Sequence, residues 1–587
     1  MRYWIALTFC FAICTCIIAQ NDFTTGFERN NNTTPTYFEA IEFYEKLAKA
    51  FPKQLQVKPT GMTDAGYPLH VAVLSKDGDF DPASIRKKGK LVLFVNNAIH
   101  PGEPCGVDAT MLLYRDFLQK KLSQNLLDKV VIVAIPYYNI GGGLNRGSYS
   151  RANQNGPEAY GFRGNAKNLD LNRDFIKADS KNAQTFNQIY TKWQPDVFID
   201  NHISNGADYV YTMTLIAGQK DKLDPNLAAF MEKDLLPKMY AGMAKSSWEM
   251  TPYVNSFGEG GPDRGISGFL DLPRFGSGYA ALHNAIPFIC EAHMLKPYKD
   301  LVMSTYTFMQ LMIEFMSENA HQIATVRAKA IENTKSKKVF DLNWRLDRNV
   351  KDSIIFKGYE AKYKPSEISG FDRLYYDHNA TYEKYIPFYN TYNATLSVEK
   401  PIAYLIPQGY TDVLDRLKWN GVQMQQLTQD IDLELEMYYI QDYQTGNRPY
   451  EGHYLHSDVK LDKKMMSWKY RKGDYVVYAN QIANRYIVET LEPQGVDSYF
   501  AWNFFDAILQ QKEHFSSYVF EDLAAAYLKE HPELQKQLDE KRTTDAEFAK
   551  SGRAQLDFVY RNSPYYEKTY NLYPIGRMVK EITLPLK

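Results

Sequence analysis

Four apolar runs limit what this chain can fold into: KLVLFVNN (Lys90–Asn97), KVVIVAIP (Lys129–Pro136), PDVFIDNH (Pro195–His202) and AIPFICEAH (Ala285–His293). KLVLFVNN is continuous and bounded by turns, as expected of a strand buried on both faces. The segments between the runs carry helical spacing instead, as in GVDATMLLYRDFLQKKL and AQTFNQIYTKW. A helix-like YFEAIEFYEKLAKAF comes first. LQVKPTGMT and YPLHVAVLS then read as a hairpin turning at Asp64, Ala65 and Gly66. Strands alternating with helices predict an α/β domain with a parallel or mixed sheet. A further helix is expected near Tyr306 to Ala320.

At 587 residues the chain is too long for one ordinary domain. After about Ala330 the pattern changes to Tyr-rich, short β-like runs. PIAYLIPQGYTDVLDRLKWNGVQMQQL reads as strand, helix, strand, and GDYVVYANQIANRYIVETLEP as paired strands. Residues 331–587 are therefore expected to be a β-rich or α+β accessory region of one or two domains, carrying no catalytic constellation. The 68 basic and 69 acidic residues nearly cancel without forming blocks, which gives no basis for a nucleic-acid or anionic-membrane partner. The opening MRYWIALTFCFAICTCIIAQ has an early Arg and then a short apolar core, so residues 1–20 are expected to be a signal peptide, with retention as an anchor as the alternative. A secreted or periplasmic protein follows, with no stable membrane insertion once the signal is removed. Only Cys105 and Cys290 lie beyond that segment, too few for a disulfide framework, and both are expected to be buried hydrophobes.

Sites in open α/β sheets lie at the carboxyl ends of strands. His100 and Glu103 follow KLVLFVNN, His202 ends PDVFIDNH, and Glu291 ends AIPFIC. His100, Glu103 and His202 form a two-histidine, one-glutamate set, the number of protein ligands that a catalytic zinc commonly takes. Glu291, not needed as a ligand, is a candidate for taking a proton from water. In NLDLNRDF, Asn172 and Arg173 offer a fork of donors suited to a carboxylate. Asp170 could accept the free ring N–H of a metal-bound histidine. His70, His283 and His293 are expected to be structural.

HPGE, NLDLNRDF, DNH and ICEAHM occur in the order of a known family: over about Tyr37 to Ala320 the chain resembles the zinc metallocarboxypeptidases of the carboxypeptidase A type. In carboxypeptidase A itself the ligand set is known to be His₂Glu, so that assignment comes with the family. The resemblance implies a three-layer α/β/α sandwich around a mixed sheet, with residues 21–330 as the catalytic domain. It also implies one Zn2+ held by His100, Glu103 and His202, with Glu291 as general base and acid. Asn172 and Arg173 would hold the free C-terminal carboxylate of a peptide, and Asp170 would lie behind a ligand. The family's arginine that stabilises the oxyanion is matched by Arg151, preferred on spacing, or by Arg163, which is otherwise a substrate-binding candidate. Tyr279 is the nearest match to the family's active-site tyrosine, although it lies closer to Glu291 than expected. The implied activity is a zinc exopeptidase releasing C-terminal residues. The alternatives are an amidohydrolase of the same fold acting on cell-wall peptides or acyl amino acids, and a degenerate binding module without catalysis.

Overall fold

The computed structural model describes residues 23–258 and 261–587; the signal-peptide expectation for residues 1–20 lies outside them. The strands of the first half are β1 (Leu55–Met62), β2 (Pro68–Leu74), β3 (Leu91–Asn96), β4 (Val130–Ile135), β5 (Val197–Ser204), β6 (Met213–Ala217), β7 (Met250–Pro252), β8 (Ile266–Ser267) and β9 (Ile286–His293). All but β8 form one sheet in the order β1-β2-β4-β3-β5-β9-β6-β7. β4, β3, β5 and β9 run parallel, while β1, β2 and β6 pair antiparallel, so the sheet is mixed.

Side chains alternate across each central strand. Leu91, Leu93, Val95, Ile132 and Ile199 face a core shared with the helices Tyr37–Ala50, Cys105–Leu118 and Tyr298–Glu318. Val92, Phe94, Val131, Val133 and Phe198 face a second core with the helices Lys181–Trp193 and Gly276–Leu282. Helices therefore cover both faces, giving the three-layer α/β/α sandwich. Because β3, β5 and β9 are parallel neighbours, their carboxyl ends meet along one edge.

The later strands are β10 (Val339–Leu346), β11 (Asp352–Pro365), β12 (Asp372–Tyr389), β13 (Tyr392–Glu399), β14 (Ala403–Ile406), β15 (Gln425–Gln426), β16 (Ile431–Thr445), β17 (His456–Tyr470), β18 (Tyr475–Tyr478) and β19 (Gly576–Met578). Six of them form a second sheet, β15-β18-β14-β19-β16-β17, and β8 of the first half adds in parallel to the β11–β12 hairpin. The expected strand, helix, strand in PIAYLIPQGYTDVLDRLKWNGVQMQQL is β14, the helix Thr411–Trp419 and β15. One expectation is corrected: of the two strands read in GDYVVYANQIANRYIVETLEP, the first is β18, but the second is the helix Asn484–Leu491. Every residue of that helix is buried; Arg485 and Glu489, one turn apart, bond each other at 2.6 Å, but the short Tyr486-Ile487-Val488 run has the β-branched and aromatic character of a strand.

The helix Ala320–Ser336 runs through position 330. The second core also continues into the later region, where Tyr404, Ile406, Leu417, Tyr486, Ile487 and Trp502 join Phe186, Tyr190 and Phe198. Burying one large apolar side chain stabilises by about 1.5–3 kcal/mol, and a whole domain's margin is only about 5–15 kcal/mol. A chain ending at Ser336 should consequently expose this face. Size-exclusion chromatography and dye binding should find it aggregated or molten; a soluble monomer with cooperative unfolding would contradict the shared core.

Candidate active site

After β3 the backbone enters the left-handed region at Ala98 (φ 55°), and the Glu103 N–H donates to the His100 carbonyl at 2.8 Å, closing a tight turn. Gly102 is required in this turn: a Cβ there would lie 2.6 Å from Arg151 Cδ. The turn delivers the side chains of His100 and Glu103 to the strand ends, where His202 arrives on β5. One donor atom from each of these buried residues lies within 4.8 Å of the others. In the β5–β9 register His202 pairs with Glu291, which sets the fourth group beside the first three.

Glu103 is the centre of charge. Its Oε2 lies 3.0 Å from His202 Nδ1 and accepts the Ile203 N–H at 3.0 Å. Its Oε1 accepts from Arg151 Nη1 at 2.6 Å and lies 3.2 Å from His100 Nδ1. Burial opposes ionisation here, but His100, Arg151 and His202 hold the Glu103 carboxyl well below the usual range. The outer ring nitrogens face carboxylates: His100 Nε2 is 2.9 Å from Asp170 Oδ1, and His202 Nε2 is 3.2 Å from Asp200 Oδ2. A proton held on each outer nitrogen leaves each Nδ1 lone pair pointing inward. His100 Nδ1 is buried and makes no hydrogen bond. Burial disfavours a charge on His202, yet Asp200, Glu103 and Glu291 push its pKa well above normal, so this cluster of anions attracts positive charge. Two inward imidazole nitrogens, one carboxylate and an unpaired buried donor site fit a zinc ion.

Eight of the ten expected residues line one cleft of about 280 Å³: His100, Glu103, Arg151, Arg163, Asn172, Arg173, His202 and Glu291. The Glu291 carboxylate makes no hydrogen bond or ion pair with a described residue, and burial pushes its pKa up to about 7. Arg151 is tied to Glu103 and to the Ile203 carbonyl at 3.0 Å. Arg163 donates from Nε to Asp170 Oδ2 at 2.9 Å, and its Nη1 reaches only to 3.4 Å from Glu103. Asn172 and Arg173 lie on a short 3₁₀ turn, Leu171–Arg173, capped by Asp170. Asn172 Oδ1 accepts the Gly276 N–H at 3.2 Å, which leaves its Nδ2 to donate, and the Arg173 guanidinium lies 4.6 Å over the Phe275 ring.

Asp170 lies behind the cleft, against His100. Tyr279 is corrected: it does not reach the cleft but is fully buried in the second core, where its hydroxyl donates to Asn420 Oδ1 at 2.6 Å. The helix Gly276–Leu282 carries it there, and all of that helix's residues are buried. Tyr253 lines the cleft in its place, its pKa raised by burial and by the nearby Glu291 and Glu103. No sequence pattern singles it out. Asp200 does carry a readable signal: its place two residues before His202 on one strand sets both on the same face. His293 is buried and bonded to the Ala207 carbonyl, and His70 meets the Tyr37 hydroxyl.

Residues 40–229 match the family of zinc carboxypeptidases. The chain carries a zinc carboxypeptidase domain. The matched span includes His100, Glu103 and His202 and stops before Glu291. Carboxypeptidase 2 of Trichophyton rubrum is 22% identical over 423 residues, covering 70% of this chain and 73% of that protein. Carboxypeptidase 2 of Trichophyton equinum is 21% identical over 484 residues, covering 79% and 83%. Among solved structures, the carboxypeptidase A of Helicoverpa armigera aligns at 14% identity with a TM-score of 0.37, covering 50% of this chain and 74% of that one.

Asp200→Asn should weaken zinc binding about 10–100-fold, read by competition with a chelator, while the fold stays intact. Unchanged zinc affinity would show that Asp200 does not orient His202.

Proposed function

We propose that the chain is a secreted or periplasmic zinc-dependent exopeptidase that hydrolyses the C-terminal peptide bond of peptides. The observation that carries this reading is one cleft with the His100, Glu103 and His202 donors at one end, the unpartnered Glu291 carboxylate beside them, and Asn172 with Arg173 beyond. A single zinc ion on those donors would supply a Lewis acid that lowers the pKa of water and polarises a carbonyl.

The chain's own groups supply the rest. Arg173, backed by Phe275, and the Asn172 Nδ2 donate to the terminal carboxylate of the peptide. That fixes the distance from the chain end to the bond that is cut, and so limits cleavage to the last residue. Glu291, with no partner of its own, takes the proton of the attacking water on a carboxylate oxygen and returns it to the departing amine nitrogen. Arg151 or Arg163 donates to the carbonyl oxygen as negative charge develops there. The products are a peptide one residue shorter and a free amino acid. No described helix is long and apolar enough to cross a membrane.

Phe275, over which the Arg173 guanidinium lies, packs against Phe269 with ring centroids 5.1 Å apart, and both rings line the cleft; aromatic rings beside the clamp suit an apolar terminal side chain.

Glu291→Gln should retain zinc while kcat falls about 10²–10⁴-fold, the usual contribution of a positioned base. Loss of zinc in that variant would mean that Glu291 is a ligand. Free-acid peptides ending in Phe or Leu should be trimmed, whereas the C-terminally amidated peptides should resist. Equal cleavage of both would remove the role given to Arg173.

A further inference from the structure

Asn172 and Arg173 lie in a stretch, residues 165–180, that belongs to no strand of the sheet. Contacts from the later region hold it. The hairpin of β16 and β17 ends in a turn at Tyr450–His453, closed by Tyr450 N–H to His453 O at 2.7 Å and His453 N–H to Tyr450 O at 3.1 Å. Both central residues are left-handed, Glu451 at φ 52° and Gly452 at φ 86°. Two-residue hairpin turns demand this conformation and favour Asn-Gly or Asp-Gly for it; a glutamate at the first central position is unfavourable.

The glutamate's carboxylate is placed in the catalytic half. Glu451 Oε2 accepts the backbone N–H of Asp170 at 2.7 Å. Asp170 is the residue on which three parts of the site converge. Its Oδ1 lies 2.9 Å from His100 Nε2 and accepts the Asn172 N–H at 2.9 Å, and its Oδ2 accepts from Arg163 at 2.9 Å. The same turn makes a second attachment, His453 Nε2 to Asp179 Oδ2 at 2.7 Å, and its Tyr450 ring stacks on Trp502. Arg274, next to the Phe275 that backs Arg173, lies over both rings and bonds Asp497 at 2.8 Å. Both sides of the carboxylate clamp are therefore fastened to residues beyond 440.

We infer that Glu451 is a positioning residue for the substrate's terminal carboxylate: the hairpin turn of the later region fixes the Asp170–Arg173 turn and thereby the clamp. An unfavourable backbone conformation kept at a contact to a functional turn fits such a role. The inference rests on the exopeptidase reading above.

Glu451→Gly and Glu451→Gln in the full-length, zinc-loaded protein separate positioning from mere attachment. Glycine relieves the left-handed backbone but removes the carboxylate; glutamine keeps an oxygen that accepts the Asp170 N–H. With a free-acid peptide ending in Phe, Glu451→Gly should raise KM about tenfold, leave kcat within about threefold and leave Tm unchanged or higher. Glu451→Gln should restore KM to near the wild-type value. Wild-type kinetics in Glu451→Gly would overturn the inference, as would a fall in its Tm accompanying any loss of activity, or a Glu451→Gln variant as impaired as Glu451→Gly. Those outcomes leave the wild-type activity standing; a wild-type protein that releases no residue from free-acid peptides would instead overturn the exopeptidase reading and this inference together.

Discussion

A carboxylate buried among imidazole and guanidinium groups governs the head of the sheet. Taken out of water alone, Glu103 would cost several kcal/mol. The chain offsets this with Arg151, the Ile203 N–H and the two histidine rings, all within 3.2 Å of its oxygens. The histidines are in turn faced by Asp170 and Asp200 on their far sides. The outcome is an alternation of charge running outward from the point where the three donors converge. A zinc ion held there would continue that pattern, which is why removing either outer carboxylate should be felt at the metal.

The fold makes this cluster possible by geometry rather than by propensity. Parallel β3, β5 and β9 end together, so groups distant in sequence meet without any long excursion of the backbone. Register then assigns roles: His202 lies opposite Glu291, while the preceding pair, Asn201 and Cys290, points to the other face. Cys290 is thus packing, as is Cys105, and both are free and buried.

What could be read in the sequence follows from how local each feature is. His100 and Glu103 lie in one turn, and Asn172 and Arg173 are adjacent, so each pair is visible as a short motif; the apolar runs announced the central strands. Tyr253 carries no such mark, because only the folded path of the chain after β7 brings it to the cleft. Tyr279 resembled a site residue by type and approximate place, yet its helix turns it into the core. The helix Asn484–Leu491 is short and centred on Tyr486-Ile487-Val488, a run that suits a strand equally well. Least legible is Glu451, which meets Asp170 across 281 residues; nothing short of tertiary structure links them. The region after residue 330 thus shares a core with the sheet and reaches back to Asp170, beside Asn172 and Arg173.

The central claim is that His100 Nδ1, Glu103 and His202 Nδ1 hold one zinc ion at the carboxyl ends of β3 and β5. Anomalous diffraction at the zinc edge, from crystals of the zinc-loaded protein grown with a free-acid dipeptide, tests it most directly. The account predicts one peak about 2.0–2.2 Å from those donors, with the ligand's carboxylate on Arg173. A peak elsewhere, or a carboxylate bound away from Arg173, would contradict it.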